Sequence, residues 1–512
     1  MNIDQLSIEA FLSSWLPNQR WFLAPDDTTH ESVAESAPSG SADADDLHDA
    51  PAQGGSALPS APVHIANLTV LAQSSDSTIF FLLVKAGEHL YAVPIIHGHQ
   101  SANSSAAVPE YRDATDTPEG RAALLAATLT PSGNSYGMPH PAAHGKAQGD
   151  TSQRIASLHL YGTALRETYR DLPEIVTSHK LTSEQSNTSI IYKLADGRSV
   201  IVKLLRLVHP GINPDIELQC ALDNAGSAVV PAQYGYARAH FSSAGMDILG
   251  STPDAHECEY EEYEADVLTA SEFLDGSVDA WQLITGELSA SGRFPISAIA
   301  QLGHTTRAMH TALANALPTA VPDDDARIAQ LTSWRARAAQ ALDRVPELQP
   351  YAARIEDLYT RAASAAWPQL QRIHGDFHLG QVLRTHSKNE GPTQEKSTSE
   401  WRIIDFEGEP LRPLSERNKP DLALRDISGM LRSLSYAAGF ARKNGADPAL
   451  VTEWENAAHT EFLRAYGVEK SELADALILD KALYEVMYEA AYRPSWIHIP
   501  LAGIAEIMST QT

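Results

Sequence analysis

The chain has 512 residues, enough for two to four domains with sizeable cores, and its 43% hydrophobic content is normal for a folded protein. Lys and Arg number 38 against 65 Asp and Glu, a net charge of -27, which repels phosphate backbones and anionic membranes and disfavours nucleic-acid binding by bulk charge. Two cysteines, Cys220 and Cys258, offer neither a disulfide framework nor metal-ligand spacing. The start of the chain lacks a basic targeting pattern and no apolar run reaches membrane-spanning length, so a soluble, cytoplasmic protein is expected.

Leu6, Ile8, Phe11, Leu12 and Trp15 recur at helical spacing, and the aromatics of residues 15–22 predict an anchoring cluster for a small cap. Residues 26–62 are rich in Ser, Ala, Asp, Gly and Pro; such a composition buries too little apolar surface to offset chain entropy, so a flexible insertion is expected. Runs over 64–71, 78–84 and 89–96 are β-branched and aromatic and predict an antiparallel meander. A second polar stretch follows over 98–153, with one helical patch at 120–129. Residues 1–170 therefore read as a small sheet with a helix or two, without visible chemistry.

Residues 183–189 form a polar turn, 190–194 a strand, Asp196-Gly197 a two-residue hairpin and 199–205 the returning strand. A polar turn between strands offers backbone N–H groups to phosphates, which makes Ser186, Asn187, Thr188 and Ser189 nucleotide-binding candidates although the usual glycines are missing. Lys203 interrupts an apolar strand, where lysine normally avoids burial, and Glu217 opens the following helix within reach of it. A lysine held by a carboxylate suits the α/β-phosphates of a nucleotide. Strands at 229–236 and 265–273 close a mostly antiparallel sheet, and 270–276 ends on a glycine hinge whose backbone, at Glu272 and Leu274, suits an adenine edge. From Ser277 the spacing is helical, over 279–288, 295–317, 326–344 and 348–365; His304 and His310 there read as packed or surface residues rather than ligands.

The densest chemistry lies at 372–383, Arg-Ile-His-Gly-Asp-Phe-His-Leu-Gly-Gln-Val-Leu, and at 403–408, Ile-Ile-Asp-Phe-Glu-Gly. An acid, Asp376, precedes an amide, Gln381, and a second acid, Asp405, follows an apolar strand. One acid can take a proton from a hydroxyl while the amide and the other acid hold Mg²⁺ at the phosphates. Residues 385–400 enlarge the loop between the two halves, and Arg425 and Asp426, at the start of the helix 422–438, are placed to brace the site. Near the end of the chain Lys481, Tyr484, Glu485, Tyr488 and Glu489 recur at three and four, a polar and aromatic stripe that suits sugar faces and hydroxyls. The same spacing suits a surface helix with half-buried tyrosines.

On these motifs, together with Arg493-Pro-Ser-Trp496 and the opening Leu-Pro-Asn-Gln-Arg-Trp-Phe of 16–22, the chain resembles the bacterial maltokinases of the aminoglycoside-phosphotransferase-like, eukaryotic-kinase-like superfamily. The resemblance covers nearly the whole chain outside the insertions. It implies an α+β, bilobal protein-kinase-like fold: an N-terminal cap subdomain over 1–170, an antiparallel-sheet N-lobe over 171–276 and a mainly helical C-lobe over 277–512. It also implies transfer of phosphate from ATP to the anomeric hydroxyl of maltose, for α-glucan synthesis, with possible association with trehalose synthase. Carried over, Asp376 is the base, Gln381 and Asp405 the Mg²⁺ ligands, Lys203 the phosphate contact and Glu217 its positioner. His374, Lys481, Tyr484 and Tyr488 fall on the sugar side. The run after Phe22, Leu-Ala-Pro-Asp, departs from the basic continuation of that family. Rival readings are a glucosamine, other small-sugar or aminoglycoside kinase, and, in another class, a nucleotide-binding scaffold without catalysis.

Overall fold

The structure is a computed structural model, and it describes residues 5–23, 63–98, 111–130, 156–181, 186–242, 262–385, 400–409, 412–469 and 471–509. The expected insertion at 26–62 lies outside the described residues. The chain divides into two compact units, one drawn from residues up to Ile216 together with Ala232–Asp275, the other containing Glu217–Pro231 and Gly276–Thr512. The helix α3 (Pro214–Asn224) carries the chain from one to the other.

The first unit is built on a ten-stranded sheet in the order β4-β3-β2-β1-β5-β9-β10-β8-β7-β6. Its strands are β1 (Val63–Gln73), β2 (Ser77–Ala86), β3 (His89–Gly98), β4 (Tyr111–Asp113) and β5 (Ala156–Ala164), then β6 (Ile175–Lys180), β7 (Asn187–Leu194), β8 (Ser199–Leu205), β9 (Gln233–Ser242) and β10 (Glu262–Glu272). The meander β1–β3 is antiparallel as expected. β2 is buried on both faces, and its period of two sends Phe80, Leu82 and Val84 into one core while Phe81 and Leu83 enter another. The first core is covered by α1 (Gln5–Trp15) and by Leu16 and Trp21, so the N-terminal cluster does anchor the strands at 63–98. The second holds Tyr192, Val202 and Leu268, and against it lies α2 (Pro118–Leu129). Because β1 pairs with β5 and β5 with β9, one sheet runs through both residues 1–170 and 171–276.

α2 lies almost on the backbone of the sheet. A Cβ at Gly162 would fall 2.2 Å from the carbonyl oxygen of Ala127, and one at Gly235 would fall 2.7 Å from Leu129, so only glycine allows this approach. The Thr117 hydroxyl caps the helix by accepting the Gly120 N–H at 3.0 Å, worth about 1 kcal/mol. The sequence reading of 98–153 as a polar insertion with one helical patch missed β4, whose Tyr111 and Asp113 are buried and whose strand pairs with β3.

The second unit is mainly helical. Its long helices are α4 (Ala280–Ser291), α5 (Ile296–Ala316), α6 (Asp324–Arg344), α7 (Ala352–Ser364), α9 (Ala423–Lys443), α10 (Pro448–Tyr466), α11 (Glu472–Tyr492) and α12 (His498–Ser509), with α8 (Leu414–Arg417) a single turn. A small sheet runs β11 (Val278–Asp279), β12 (Val382–Thr385), β13 (Glu400–Ile403). α9 is buried nearly all round, which makes it the hub of this unit. Trp401, Trp334 and Tyr359 fill its largest interior positions, and the indole of Trp401 donates to the Ala298 carbonyl at 2.9 Å. Among the described residues no helix is long and apolar enough to cross a membrane.

Candidate functional site

β12 and β13 are antiparallel with Val382 opposite Ile403, so the residues just outside the hairpin, Gln381 and Asp405, come to the same end of it. The Ile404 N–H donates to the Gln381 carbonyl at 3.0 Å and continues the ladder by one rung. Asp405 has φ of 67°, the one non-glycine in the left-handed region among the described residues. Such strain in a carboxylate beside an amide is a mark of a functional turn. An amide oxygen and a carboxylate are both hard donors, and this pair fits Mg²⁺.

Asp376 sits on a turn that is held from beneath. The carboxylate of Asp426, buried on the first turn of α9, accepts the His374 N–H at 2.8 Å and the Gly375 N–H at 2.9 Å. Its Oδ2 also takes the His310 Nε2–H at 2.9 Å, and the other ring nitrogen of His310 meets the Tyr466 hydroxyl at 3.0 Å. The bracing expected of Asp426 is therefore direct. His310, read from sequence as a packed residue, is packed and also orients that brace. Gly429 lets α9 come this close: a Cβ there would fall 2.5 Å from the Phe377 carbonyl.

His374 is a correction. It was expected on the sugar side, yet it is 1% exposed. Its Nε2–H donates to the Ile404 carbonyl at 3.0 Å, and its ring lies 4.6 Å from that of Phe406. It joins the turn that carries Asp376 to the strand that leads to Asp405, a structural task for a ring in the core.

Asp376 lines an open cleft whose other wall is α11, and Lys481, Tyr484 and Tyr488 line the same cleft. Lys481 Nζ stands 3.9 Å from Asp376 and donates to Glu409 at 3.0 Å. Burial alone would raise the Glu409 carboxyl, but Lys481, Arg425 and Arg412 bring it down to about 2. Burial opposes the charge on Lys481 as well, yet Glu409 and Asp376 hold its ammonium well above the ordinary lysine range. Burial pushes the His378 imidazole, also on this cleft, below its ordinary value despite Asp376 nearby, which keeps it neutral around pH 7.

Sequence reasoning missed most of the cleft's charge. Arg337 of α6 pairs with Asp480 at 3.2 Å and lies over the Tyr484 ring at 5.7 Å. Arg432 pairs with Glu485 at 2.7 Å and Arg493 with Glu489 at 2.7 Å, while the Tyr436 hydroxyl donates to Glu489. The stripe at 481–489 announced that one face was polar, but its partners come from α6, α9 and the 405–409 turn.

In the first unit, Lys203 lies on β8 opposite Ser189 and Thr269, with 21% of its side chain exposed, and pairs with Asp215 at 3.6 Å. Glu217, expected as its positioner, belongs to the second unit, where it accepts from Arg372 at 2.6 Å. The turn expected at 183–189 is shorter than predicted. β7 begins at Asn187, Thr188 and Ser189 are buried in the sheet, and the Thr188 hydroxyl accepts from Arg206. Of the predicted turn residues Ser186 is the exposed one, and residues 183–185 lie outside the described residues. At the hinge, the Glu272 N–H is taken by the Ala232 carbonyl at 2.8 Å, and Leu274 follows one residue beyond Phe273, whose N–H donates to Ser199.

Residues 183–393 match the APH family, described as "Phosphotransferase enzyme family". A glucosamine kinase of Streptacidiphilus jiangxiensis is 30% identical over 265 residues, 46% of this chain and 56% of that protein, so the match spans little more than half of its length. A glucosamine kinase of Mycolicibacterium smegmatis is 27% identical over 359 residues, 65% of this chain and 80% of that one. Among solved structures, a glucosamine kinase in complex with glucosamine, ADP and inorganic phosphate superposes with a TM-score of 0.62 at 20% identity, covering 88% of this chain and 95% of that one. The fold is kinase-like, a mixture of antiparallel sheet and helices.

Proposed function

We propose that the chain is an ATP-dependent sugar kinase and that maltose, phosphorylated at its anomeric hydroxyl, is its acceptor. One observation carries the reading: Asp376 shares its cleft with Lys481, Tyr484 and Tyr488. A proton acceptor on a rigid turn thus faces a wall of ring faces and hydrogen-bond donors suited to a saccharide. Asp376 orients the attacking hydroxyl and takes its proton, with the Lys481 ammonium 3.9 Å from its carboxylate. Gln381 and Asp405 would hold Mg²⁺, which, when bound, draws negative charge from the transferring phosphoryl group. Lys203 would contact the phosphates. Phosphoryl transfer asks little covalent chemistry of a protein, so fixing these groups in place supplies most of the catalysis.

The relatives favour a second acceptor, glucosamine. Charge bookkeeping in the cleft favours the neutral sugar. Glu409, Asp480, Glu485 and Glu489 each already face a cation, so an ammonium group would compete for carboxylates that are compensated. Hydroxyls need no net charge from the wall. The test is ADP release measured with maltose, glucosamine, glucose, trehalose and an aminoglycoside. Turnover with maltose is expected to exceed the others by at least about tenfold in kcat/KM. Turnover with glucosamine and none with maltose removes the maltose assignment and leaves the kinase. Nucleotide binding with no turnover on any acceptor supports a scaffold instead.

A further inference from the structure

Arg206 follows directly on β8, three residues from Lys203, and is 1% exposed. A guanidinium is seldom buried unless its donors are matched. Here its Nη2 pairs with Asp113 of β4 at 2.6 Å, its Nε donates to the Thr188 hydroxyl of β7 at 2.8 Å, and its Nη1 reaches the Ala92 carbonyl of β3 at 3.4 Å. Its face is covered by Trp21 of the N-terminal cluster, 4.5 Å from the ring centroid. The backbone repeats the connection: the Ala92 N–H donates to the Arg206 carbonyl at 2.8 Å and the Val208 N–H to the Leu90 carbonyl at 2.7 Å. One residue therefore ties three separate segments, β3, β4 and the N-terminal cluster, to the strands that bear Lys203 and Asn187.

Asp113 and Trp21 come from outside the region that matches the phosphotransferase family, whereas Thr188, Lys203 and Arg206 lie inside it. We propose that Arg206 is a positioning residue, through which the N-terminal segment and β4 hold the β7–β8 hairpin in its nucleotide-binding geometry. The proposal rests on the phosphotransfer reading for the identity of the ligand. It does not rest on that reading for the clamp itself, which is a statement about the rigidity of the hairpin. Tertiary contacts at the far edge of the sheet then set nucleotide affinity without touching the nucleotide.

The test compares the full-length chain with Asp113→Asn, Arg206→Lys and Thr188→Val. The last of these leaves the ion pair intact and keeps the proposal testable should the other two fail to fold. Amide hydrogen exchange is followed over β7 and β8, with α9 as an internal control, and ADP binding in the presence of Mg²⁺ is measured by calorimetry. The expected result is exchange about tenfold faster in β7 and β8 with α9 unchanged, and an ADP Kd raised about fivefold or more while the KM for maltose stays within about twofold. A purely structural role would speed exchange in both units or move both substrates equally. Native exchange in the hairpin of the folded variants overturns the proposal, as does a loosened hairpin with unaltered ADP affinity. If the native chain binds no ADP, the phosphotransfer reading falls, and exchange alone decides the clamp: acceleration confined to β7 and β8 upholds it and its absence overturns it.

Discussion

The turn that carries Asp376 and the wall formed by α11 line the same cleft but are held in different ways. The turn is fixed through its backbone: two N–H groups on the Asp426 carboxylate, a close approach at Gly429, a left-handed residue at Asp405. The wall is fixed by side chains, Asp480, Glu485 and Glu489 of α11 each meeting an arginine. Backbone fixation tolerates almost no substitution, whereas paired side chains can be exchanged with graded effects. A kinase that needs one phosphoryl-transfer geometry and a tunable acceptor would be built in this way.

The sharpest way to break this comparison is at Asp376. Asp376→Asn should lower kcat by about 10³-fold or more with melting temperature nearly unchanged, since the side chain lines a cleft and supports no core. Near-native turnover in the purified variant would remove Asp376 as the base. Glu409 joins the two regions and is best tested by pH. Its folded pKa of about 2 lies below the ordinary carboxylate value of 4.5. Its contribution is therefore present above pH 4.5 and lost as pH falls toward 2. Up to about 3 kcal/mol is at stake. Glu409→Gln should flatten the stability curve across that window, and chemical denaturation at a series of pH values would show whether it does.

Gly429→Ala tests the backbone side. The added methyl meets the Phe377 carbonyl, so the variant should lose about 1–3 kcal/mol and a larger share of turnover than of sugar affinity. Equal loss in both would mean that the turn has no privileged link to catalysis. The smallest effect is expected at the wall. Lys481→Met should raise the KM for the sugar about 10- to 30-fold and reduce kcat less, because its contact with Asp376 is longer than its contact with Glu409.

Much of the candidate site was legible because its residues are local in sequence. Asp376, Gln381 and Asp405 flank one hairpin, β12–β13, whose strand pattern and neighbouring glycines are visible in the sequence. The helices of the second unit were legible for the same reason, since a period of three and four needs no partner to be seen. What escaped was non-local or two-faced. Asp215, Arg337 and Asp480 have partners far away or in unremarkable helices, and nothing in the spacing marks them. Thr188 and Ser189 looked like turn residues because they are polar, yet they form the first rungs of β7 with their hydroxyls turned inward. His374 stood inside the motif and was therefore read as a contact, while its burial depends on Phe406 and Ile404 arriving from across the enlarged loop. Tyr111–Asp113 was lost in a polar stretch, and it contains the acid that Arg206 requires.

The left-handed backbone of Asp405 also constrains how this position can drift. Most replacements, Glu among them, would bring a carbonyl clash of about 1 kcal/mol or more at this φ, so an acid one methylene longer is not a neutral neighbour even though it keeps the charge. If Asp405 holds the metal as proposed, glycine would relieve the conformation and forfeit the ligand, and asparagine would accept the conformation and forfeit the charge. Two independent filters thus overlap on a single amino acid. Lineages in which this position holds no metal should leave Asp through Asn or Gly before they show any other residue there.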